Sequence, residues 1–175
     1  MHQKKAIREA EMKIRVLLSD DHRIMREALR SLLDKDPDIA VVGEAEDGRS
    51  TVELTRKTKP HVVVMDVVMQ GMNGIEATRQ ITQEMPDVKV LALSMHTHSW
   101  FVGKMKEAGA KGYLLKNCAS EELSRAIRTV FANQSYLSPK LAEHTKYSGL
   151  KGDKPNKSGL GNAGFTTLEA RDESR

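Results

Sequence analysis

A run of four apolar residues that leads directly into an acid is the feature that most constrains this chain. The run from Val62 to Met65 lies between Pro60 and Asp66, in the stretch HVVVMDVVMQG. Four consecutive apolar residues bounded by turn-forming residues are typical of a strand that is buried on both faces. An acid after such a strand often does no more than begin a turn. Whether Asp66 belongs to a functional site therefore depends on which residues lie at the ends of the other strands.

Apolar runs and helical patterns alternate five times from Lys13 onward. Short connections between strands and helices favour parallel strands joined by right-handed crossovers. The near-continuous apolar character of the strands predicts helices on both faces of the sheet. The sequence therefore predicts an α/β fold with a five-stranded parallel sheet, its strands at residues 14–18, 39–42, 62–65, 88–93 and 112–115.

Apolar spacing also predicts which face of each helix is buried. The first helix is expected to bury one stripe, made of Ile24, Ala28, Leu29 and Leu32. The last helix is expected to begin after a cap at Ser120 and to bury Leu123, Ala126, Ile127, Val130 and Phe131.

Composition limits the class of protein. The 175 residues are 39% hydrophobic and 30% charged, with a formal net charge of +4, which is ordinary for a soluble domain and supports nucleic-acid binding only weakly. No stretch of eighteen uncharged apolar residues occurs, so we expect no membrane association. The single cysteine, Cys118, cannot form an internal disulfide and favours a cytoplasmic location.

Polar residues come directly after four of the five predicted strands. Asp20 and Asp21 come after the first strand, Asp66 after the third, Ser94 after the fourth and Lys116 after the fifth. Each one alone has an ordinary explanation as a cap, a turn or a surface residue. However, ligands of open parallel sheets bind at the carboxyl ends of the strands, so the coincidence at four strands predicts a site.

The residue types at this edge indicate phosphoryl chemistry. Three neighbouring carboxylates repel one another unless a cation lies among them, and carboxylate oxygens are ligands that suit Mg²⁺. A divalent ion together with an ammonium group can bind a phosphoryl group. Asp66 could then act as the nucleophile and become an aspartyl phosphate. No residue is obviously placed to activate water, which favours a phosphate that is held for a time.

Four segments resemble, in order, the receiver domain of response regulators of the NarL/FixJ (LuxR-type) family. They are VLLSDDHRIMREALRSLL, VVVMDVVMQGMNGIEATRQI, VLALSMHTHS and EAGAKGYLLK. The resemblance extends from Lys13 to Phe131. It implies the flavodoxin-like (CheY-like) strand order 2-1-3-4-5 and phosphorylation by a sensor histidine kinase. It implies a phosphoacceptor that assists its own phosphorylation and dephosphorylation rather than an enzyme.

The resemblance also implies a role for each site residue. Asp66 matches the phosphoacceptor. Asp21 matches the acid that binds Mg²⁺ directly, and Asp20 the acid that usually acts through water. Val68 occupies the position whose backbone carbonyl completes the metal site.

The remaining matches concern the response to phosphorylation. Ser94 matches the hydroxyl that reaches the phosphoryl group, and Lys116 the lysine that pairs with it. Tyr113 matches an aromatic residue that turns inward when Ser94 moves. The region around residues 99–108 should change on phosphorylation, which we expect to promote a homodimer through the last two helices, or through the first and fifth.

The chain is expected to have four parts. Residues 1–12 form an N-terminal extension, 13–133 the receiver domain and 134–164 a partly flexible linker, with a short helix possible at 137–144. Residues 165–175 resemble the start of a helix-turn-helix output domain. Because its recognition helix does not follow, DNA binding is expected only through an output domain missing from this chain.

Two alternative functions are compatible with parts of the sequence. An aspartate-nucleophile phosphate hydrolase would use the same sheet edge, but it needs a second acid where this chain has Val68. Direct DNA binding would depend on the lysines of the tail, and such runs are usually solvated.

Overall fold

The computed structural model describes residues 13–118 and 120–141. Strands and helices alternate along this part of the chain. Their bounds are β1 Ile14–Ser19, α1 Arg23–Leu33, β2 Ile39–Ala45, α2 Gly48–Thr58, β3 Val62–Asp66, α3 Gly74–Glu84, β4 Lys89–Ser94, α4 Ser99–Glu107, β5 Gly112–Leu115, α5 Ser120–Phe131 and β6 Tyr136–Leu137.

The strands form one sheet in the order β2-β1-β3-β4-β5-β6, and every pair is parallel. The predicted fold class and the order 2-1-3-4-5 are confirmed. Side chains of β3 alternate between two apolar clusters, with Val62 and Val64 in one and Val63 and Met65 in the other. Helices therefore cover both faces of the sheet, as the continuous apolar strands predicted.

The sixth strand was not predicted. We expected a helix from residue 137, whereas Tyr136 and Leu137 pair with Gly112 and Tyr113 of β5. The edge of β5 has backbone groups that need partners, and the Tyr136 amide donates to the Lys111 carbonyl at 3.0 Å. Helical conformation begins only at residue 139 and is described as far as residue 141.

Two predicted helix faces were partly wrong. Leu29 is buried in α1 as predicted, but Ile24 is 83% exposed and Ala28 is also exposed, whereas Leu33 is buried and Met25 packs against the same cluster. Met25, Leu29 and Leu33 are spaced four residues apart, so the buried face is centred on Leu29 and is turned away from Ile24 and Ala28. In α5 the predicted residues are buried except Phe131, which is 45% exposed.

The ends of the helices partly follow the predictions. Asn73 caps α3 and accepts hydrogen bonds from the amides of Ile75 and Glu76. Ser120 is the first residue of α5 rather than its cap. No helix among the described residues is both long and apolar enough to cross a bilayer. Predictions for residues 1–12 and 142–175 lie outside the described residues.

Candidate functional site

The predicted site residues meet at the carboxyl ends of β1, β3, β4 and β5. Ligand atoms of Asp20, Asp21 and Asp66 all lie within 4.8 Å of one another. Asp20 and Asp66 are almost fully buried, while Asp21 is partly exposed. The acid pair after β1 and the acid that ends β3 are therefore side by side, as the parallel order of these strands requires.

Lys116 connects two of these acids. Its Nζ atom lies 2.7 Å from Asp66 Oδ2 and 2.7 Å from Asp20 Oδ2, and its side chain is mostly buried. Burial acts against the charged form, but the hydrogen bonds and charges of the two carboxylates outweigh it and raise the pKa of Lys116. Lys116 is therefore a fixed ammonium group at the centre of the site.

Asp66 has a different partner on each oxygen. Oδ2 accepts from Lys116, and Oδ1 accepts a 3.2 Å hydrogen bond from the Val68 amide. Burial raises the pKa of Asp66 above its usual range, the Lys116 contact opposes this shift, and the Asp20 charge adds to it. The side chain of Val68 is 48% exposed, so this residue meets Asp66 through its backbone.

Close packing behind Asp66 fixes its position. A Cβ atom added to Gly74 would lie 2.0 Å from the Asp66 carbonyl oxygen, so only glycine allows α3 to begin here. The Gly74 amide donates to the Val67 carbonyl at 3.1 Å. The first turn of α3 therefore packs directly against the end of β3.

Ser94 and Tyr113 are connected through the backbone of His96. The His96 amide donates to Ser94 Oγ at 3.0 Å, and the Tyr113 hydroxyl donates to the His96 carbonyl at 2.9 Å. Ser94 is 1% exposed and Tyr113 is 3% exposed. Burial raises the pKa of the Tyr113 hydroxyl, which stays protonated as a donor. The Tyr113 ring is thus buried, and its hydroxyl is held by the backbone of the residue whose amide holds Ser94.

His22 was missed by the sequence analysis. Its Nδ1 atom lies 2.8 Å from Asp21 Oδ1 and 3.3 Å from Asp20 Oδ1, and its amide donates to Asp20 Oδ1 at 2.9 Å. The sequence position of His22, directly after Asp20 and Asp21, could have indicated this contact. The chain turns into α1 at His22, and the turn brings its ring close to the two acids.

The side chains present fit a divalent cation. The three carboxylates carry one negative charge each and Lys116 one positive charge, so the cluster has an excess of two negative charges (three minus one). Asp20 Oδ2 contacts the Lys116 ammonium group and Asp21 Oδ1 contacts the His22 ring, but the geometry of these contacts is not that of a well-aligned hydrogen bond, so both buried oxygens can accept a further ligand. Oxygen donors with this excess of charge suit Mg²⁺.

Comparison with known proteins identifies the family. The sequence profile of the response regulator receiver domain matches residues 16–128. The transcriptional regulatory protein DegU of Brevibacillus brevis is 40% identical over 134 residues, which cover 77% of this chain and 57% of DegU. The response regulator UvrY of Escherichia coli strain K12 is 40% identical over 141 residues, 81% of this chain and 65% of UvrY.

Solved structures agree with these sequence matches. A LuxR-family two-component response regulator from Aurantimonas sp. SI85-9A1 superposes with a TM-score of 0.75 at 40% identity, covering 79% of this chain and 99% of that one. The response regulator ChrA of a heme-sensing two-component system gives a TM-score of 0.68 at 35% identity, covering 82% and 69%.

The fold and the acidic site with its lysine are those of a receiver domain, and this chain belongs to the response regulator family. Its relatives are LuxR/NarL-type two-component regulators, and it spans 57% of the length of DegU and 65% of that of UvrY. The hydrolase alternative is not favoured, because an exposed apolar side chain, Val68, stands where that mechanism needs a second acid.

Proposed function

We propose that Asp66 accepts a phosphoryl group from a sensor histidine kinase and that Lys116 and Ser94 bind it. The observation that carries this proposal is the pairing of the buried Asp66 carboxylate with Lys116 at 2.7 Å. Family membership supports it, since the matched receiver profile spans both residues.

We propose that Asp21 and Asp66 hold Mg²⁺ directly, that Asp20 does so through water, and that the Val68 carbonyl completes the set. The excess of negative charge at these side chains supports a divalent ion. When bound, Mg²⁺ would neutralise charge on the transferring phosphoryl oxygens.

In the transfer, an oxygen of Asp66 attacks phosphorus. The bond between phosphorus and the histidine nitrogen of the kinase breaks as the bond to Asp66 forms, and the leaving imidazole nitrogen keeps the electron pair. Lys116 is already hydrogen-bonded to Asp66, so its ammonium group is in place to stabilise the negative charge of the phosphoryl oxygens without a large movement of the side chain. The receiver thereby assists its own phosphorylation, and hydrolysis of the aspartyl phosphate reverses it.

Phosphorylation adds about −1.5 to −2 charges at this edge of the sheet. The Ser94 hydroxyl can turn toward those charges, which breaks its bond with the His96 amide and leaves space for the Tyr113 ring. Because His96 lies in the connection between β4 and α4, its displacement would reach the surface of α4 and β5. The change is a shift between two existing conformations.

We propose that this shift promotes a homodimer and, in the full-length protein, controls transcription. Trp100 of α4 is 50% exposed, which supports an interface at α4 and α5; Ile24 of α1, 83% exposed, keeps the alternative of α1 and α5 open. DNA binding is assigned to an output domain outside the described residues. The name of DegU, a transcriptional regulatory protein, supports a role in transcription.

Phosphorylation by a small donor tests the assignment. The protein is incubated with Mg²⁺ and acetyl phosphate and its intact mass is measured, with Asp66→Asn as the test variant and Asp87→Asn, an exposed acid, as the control. We expect one base-labile phosphoryl group in the wild type and the control, and none in Asp66→Asn. Equal labelling of Asp66→Asn would overturn the proposal.

A further inference from the structure

The edge of β5 is covered by a segment of the chain itself, residues 136–141, which we name the docked segment. Its residues Tyr136 and Leu137 form β6 against Gly112 and Tyr113. A Cβ atom on Gly112 would lie 2.7 Å from a Leu91 methyl group, 3.0 Å from a Val130 methyl group and 3.2 Å from Tyr136 Cβ. The absence of a side chain at Gly112 therefore serves the packing of β4 and α5 as well as that of the segment.

One carboxylate of α5 holds the docked segment through two hydroxyl groups. Glu122 Oε1 accepts a 2.8 Å hydrogen bond from Ser138 Oγ and a 3.3 Å hydrogen bond from the Tyr136 hydroxyl. Ser138 is fully buried, although it is a polar residue in a segment expected to be a linker. Bonds from hydroxyl groups to a carboxylate are stronger than bonds between neutral groups. Glu122 is therefore a side-chain acceptor that two hydroxyl groups of the segment share, and Arg125 also donates to the Tyr136 hydroxyl at 3.3 Å.

The docked segment also touches the strand that carries the aromatic residue of the site. The Ser138 amide donates to the Tyr113 carbonyl at 3.0 Å. Leu141, 1% exposed, belongs to the same apolar cluster as Tyr113 and Met105. A shift of the Tyr113 ring toward Ser94 would withdraw apolar surface from the cluster that buries Leu141.

We propose that Glu122 anchors the docked segment to the receiver and that phosphorylation at Asp66 weakens this docking through Tyr113. The surface of β5 and α5 is thus a binding site for the chain's own linker. Glu122 is a positioning residue: it contacts neither Asp66 nor Lys116 through any hydrogen bond or ion pair of the described residues. The second half of this inference rests on the proposed function.

Hydrogen exchange of the whole chain tests the anchor without any phosphate. Glu122→Ala should speed exchange of the Tyr136 and Ser138 amides by about tenfold, because two hydrogen bonds to the segment are lost and it opens more often. Glu122→Gln keeps an acceptor oxygen and should restore most of the protection. Glu121→Ala removes the neighbouring exposed acid of the same helix and should change nothing. Wild-type exchange in Glu122→Ala would overturn the anchor.

The coupling is measured with Mg²⁺ and beryllofluoride as the phosphoryl mimic. Saturation with the mimic should speed exchange of these two amides in the wild type by about three- to tenfold, a usual size for coupling between two sites. Because coupling is reciprocal, undocking raises the affinity for the mimic by at most this factor, so Glu122→Ala should bind the mimic more tightly in proportion to the fraction of molecules in which the segment is undocked. A bound mimic that leaves exchange of the segment unchanged would overturn the coupling.

Failure of the proposed function would appear in another result. If beryllofluoride with Mg²⁺ did not bind the wild-type protein at all, the assignment of Asp66 would be wrong, and phosphorylation could not weaken the docking. If the mimic bound and only the docked segment failed to respond, Asp66 would stand as the phosphoacceptor and this inference alone would be rejected.

Discussion

Lys116 Nζ lies 2.7 Å from Asp66 Oδ2 in a part of the protein from which water is nearly excluded. The same nitrogen lies 2.7 Å from Asp20 Oδ2, so one ammonium group separates two buried carboxylates. The positive charge of Lys116 therefore stabilises the two carboxylates of the site. On phosphorylation, the same charge would also interact with the phosphoryl oxygens.

Removal of this ammonium group should destabilise the fold. Without divalent ions, Lys116→Met leaves two buried carboxylates without their cation, and it should lower the free energy of unfolding at pH 7 by about 3 to 5 kcal/mol. Urea denaturation measures this loss. Lys106→Met, which removes an exposed lysine of α4, is the matched control and should lose much less. Equal stability of the two variants would contradict the role given to Lys116.

The raised pKa of Asp66 predicts how stability depends on pH. The native state binds the Asp66 proton more tightly than the unfolded state does, so this group makes stability fall as pH rises from its ordinary pKa of 3.8 through the raised native value. Asp66→Asn should thus be more stable than the wild type at pH 7 without Mg²⁺, and lose that advantage near pH 3.8. Denaturation across this range, with saturating Mg²⁺ as a comparison, measures it. An Asp66→Asn protein less stable than the wild type at pH 7 would argue against the prediction.

His61 should make the fold sensitive to acid. Its Nδ1 atom accepts a 3.1 Å hydrogen bond from the Arg15 amide, which a protonated ring cannot accept. Burial, and then the charge of Arg15, lower the pKa of His61 below its ordinary value of 6.5. Its contribution is therefore complete above pH 6.5 and is lost as pH falls through the lowered native pKa.

Protonation of His61 should lower the free energy of unfolding by about 1 kcal/mol, the contribution of one hydrogen bond. Urea denaturation of the wild type and His61→Gln between pH 4 and pH 8 measures it. Below pH 6.5 the free energy of unfolding should fall less steeply with falling pH in His61→Gln than in the wild type. Identical slopes would show that another group titrates.

Trp100 should report the state of Ser94. The His96 ring stacks on Phe101 with ring centroids 4.4 Å apart, and Phe101 meets Trp100 edge-on at 4.9 Å. Because the His96 amide bonds to Ser94, a movement of Ser94 should alter these ring contacts.

Trp100 is the single tryptophan of the chain, so its fluorescence is easily assigned. We expect beryllofluoride with Mg²⁺ to shift its emission in the wild type. Asp66→Asn should give no shift, and Ser94→Ala a smaller one. An equal shift in all three proteins would mean that the signal does not pass through Ser94.

Much of the fold could be read from the sequence because the strands β1, β3, β4 and β5 are nearly all apolar. Each of these strands is buried on both faces, so it begins and ends where the sequence changes between polar and apolar residues. The acids, Ser94 and Lys116 were found for the same reason: they are polar residues that follow those runs closely. Their pairing at 2.7 Å depends on the strand order, which the resemblance supplied.

Other features had no such signal. β6 is only two residues long, and it is defined by its pairing with β5, in another part of the chain. The hydroxyl of the buried Ser138 has its hydrogen-bond acceptor, Glu122, in α5, and the Ser138 sequence position alone gives no sign of this. α1 has few apolar residues among many polar ones. Its periodicity therefore did not distinguish the helix face that contains Leu29, which is buried, from the adjacent face that contains Ile24, which is exposed.

The most direct test of the account is to locate the phosphoryl group chemically. An aspartyl phosphate is reduced by borohydride to homoserine, whereas a free carboxylate is not. The protein is treated with Mg²⁺ and acetyl phosphate, reduced, digested and mapped by mass spectrometry. We predict homoserine at position 66 alone, and none when EDTA replaces Mg²⁺. Homoserine at Asp20, Asp21 or any other acid, with residue 66 unmodified, would contradict the account.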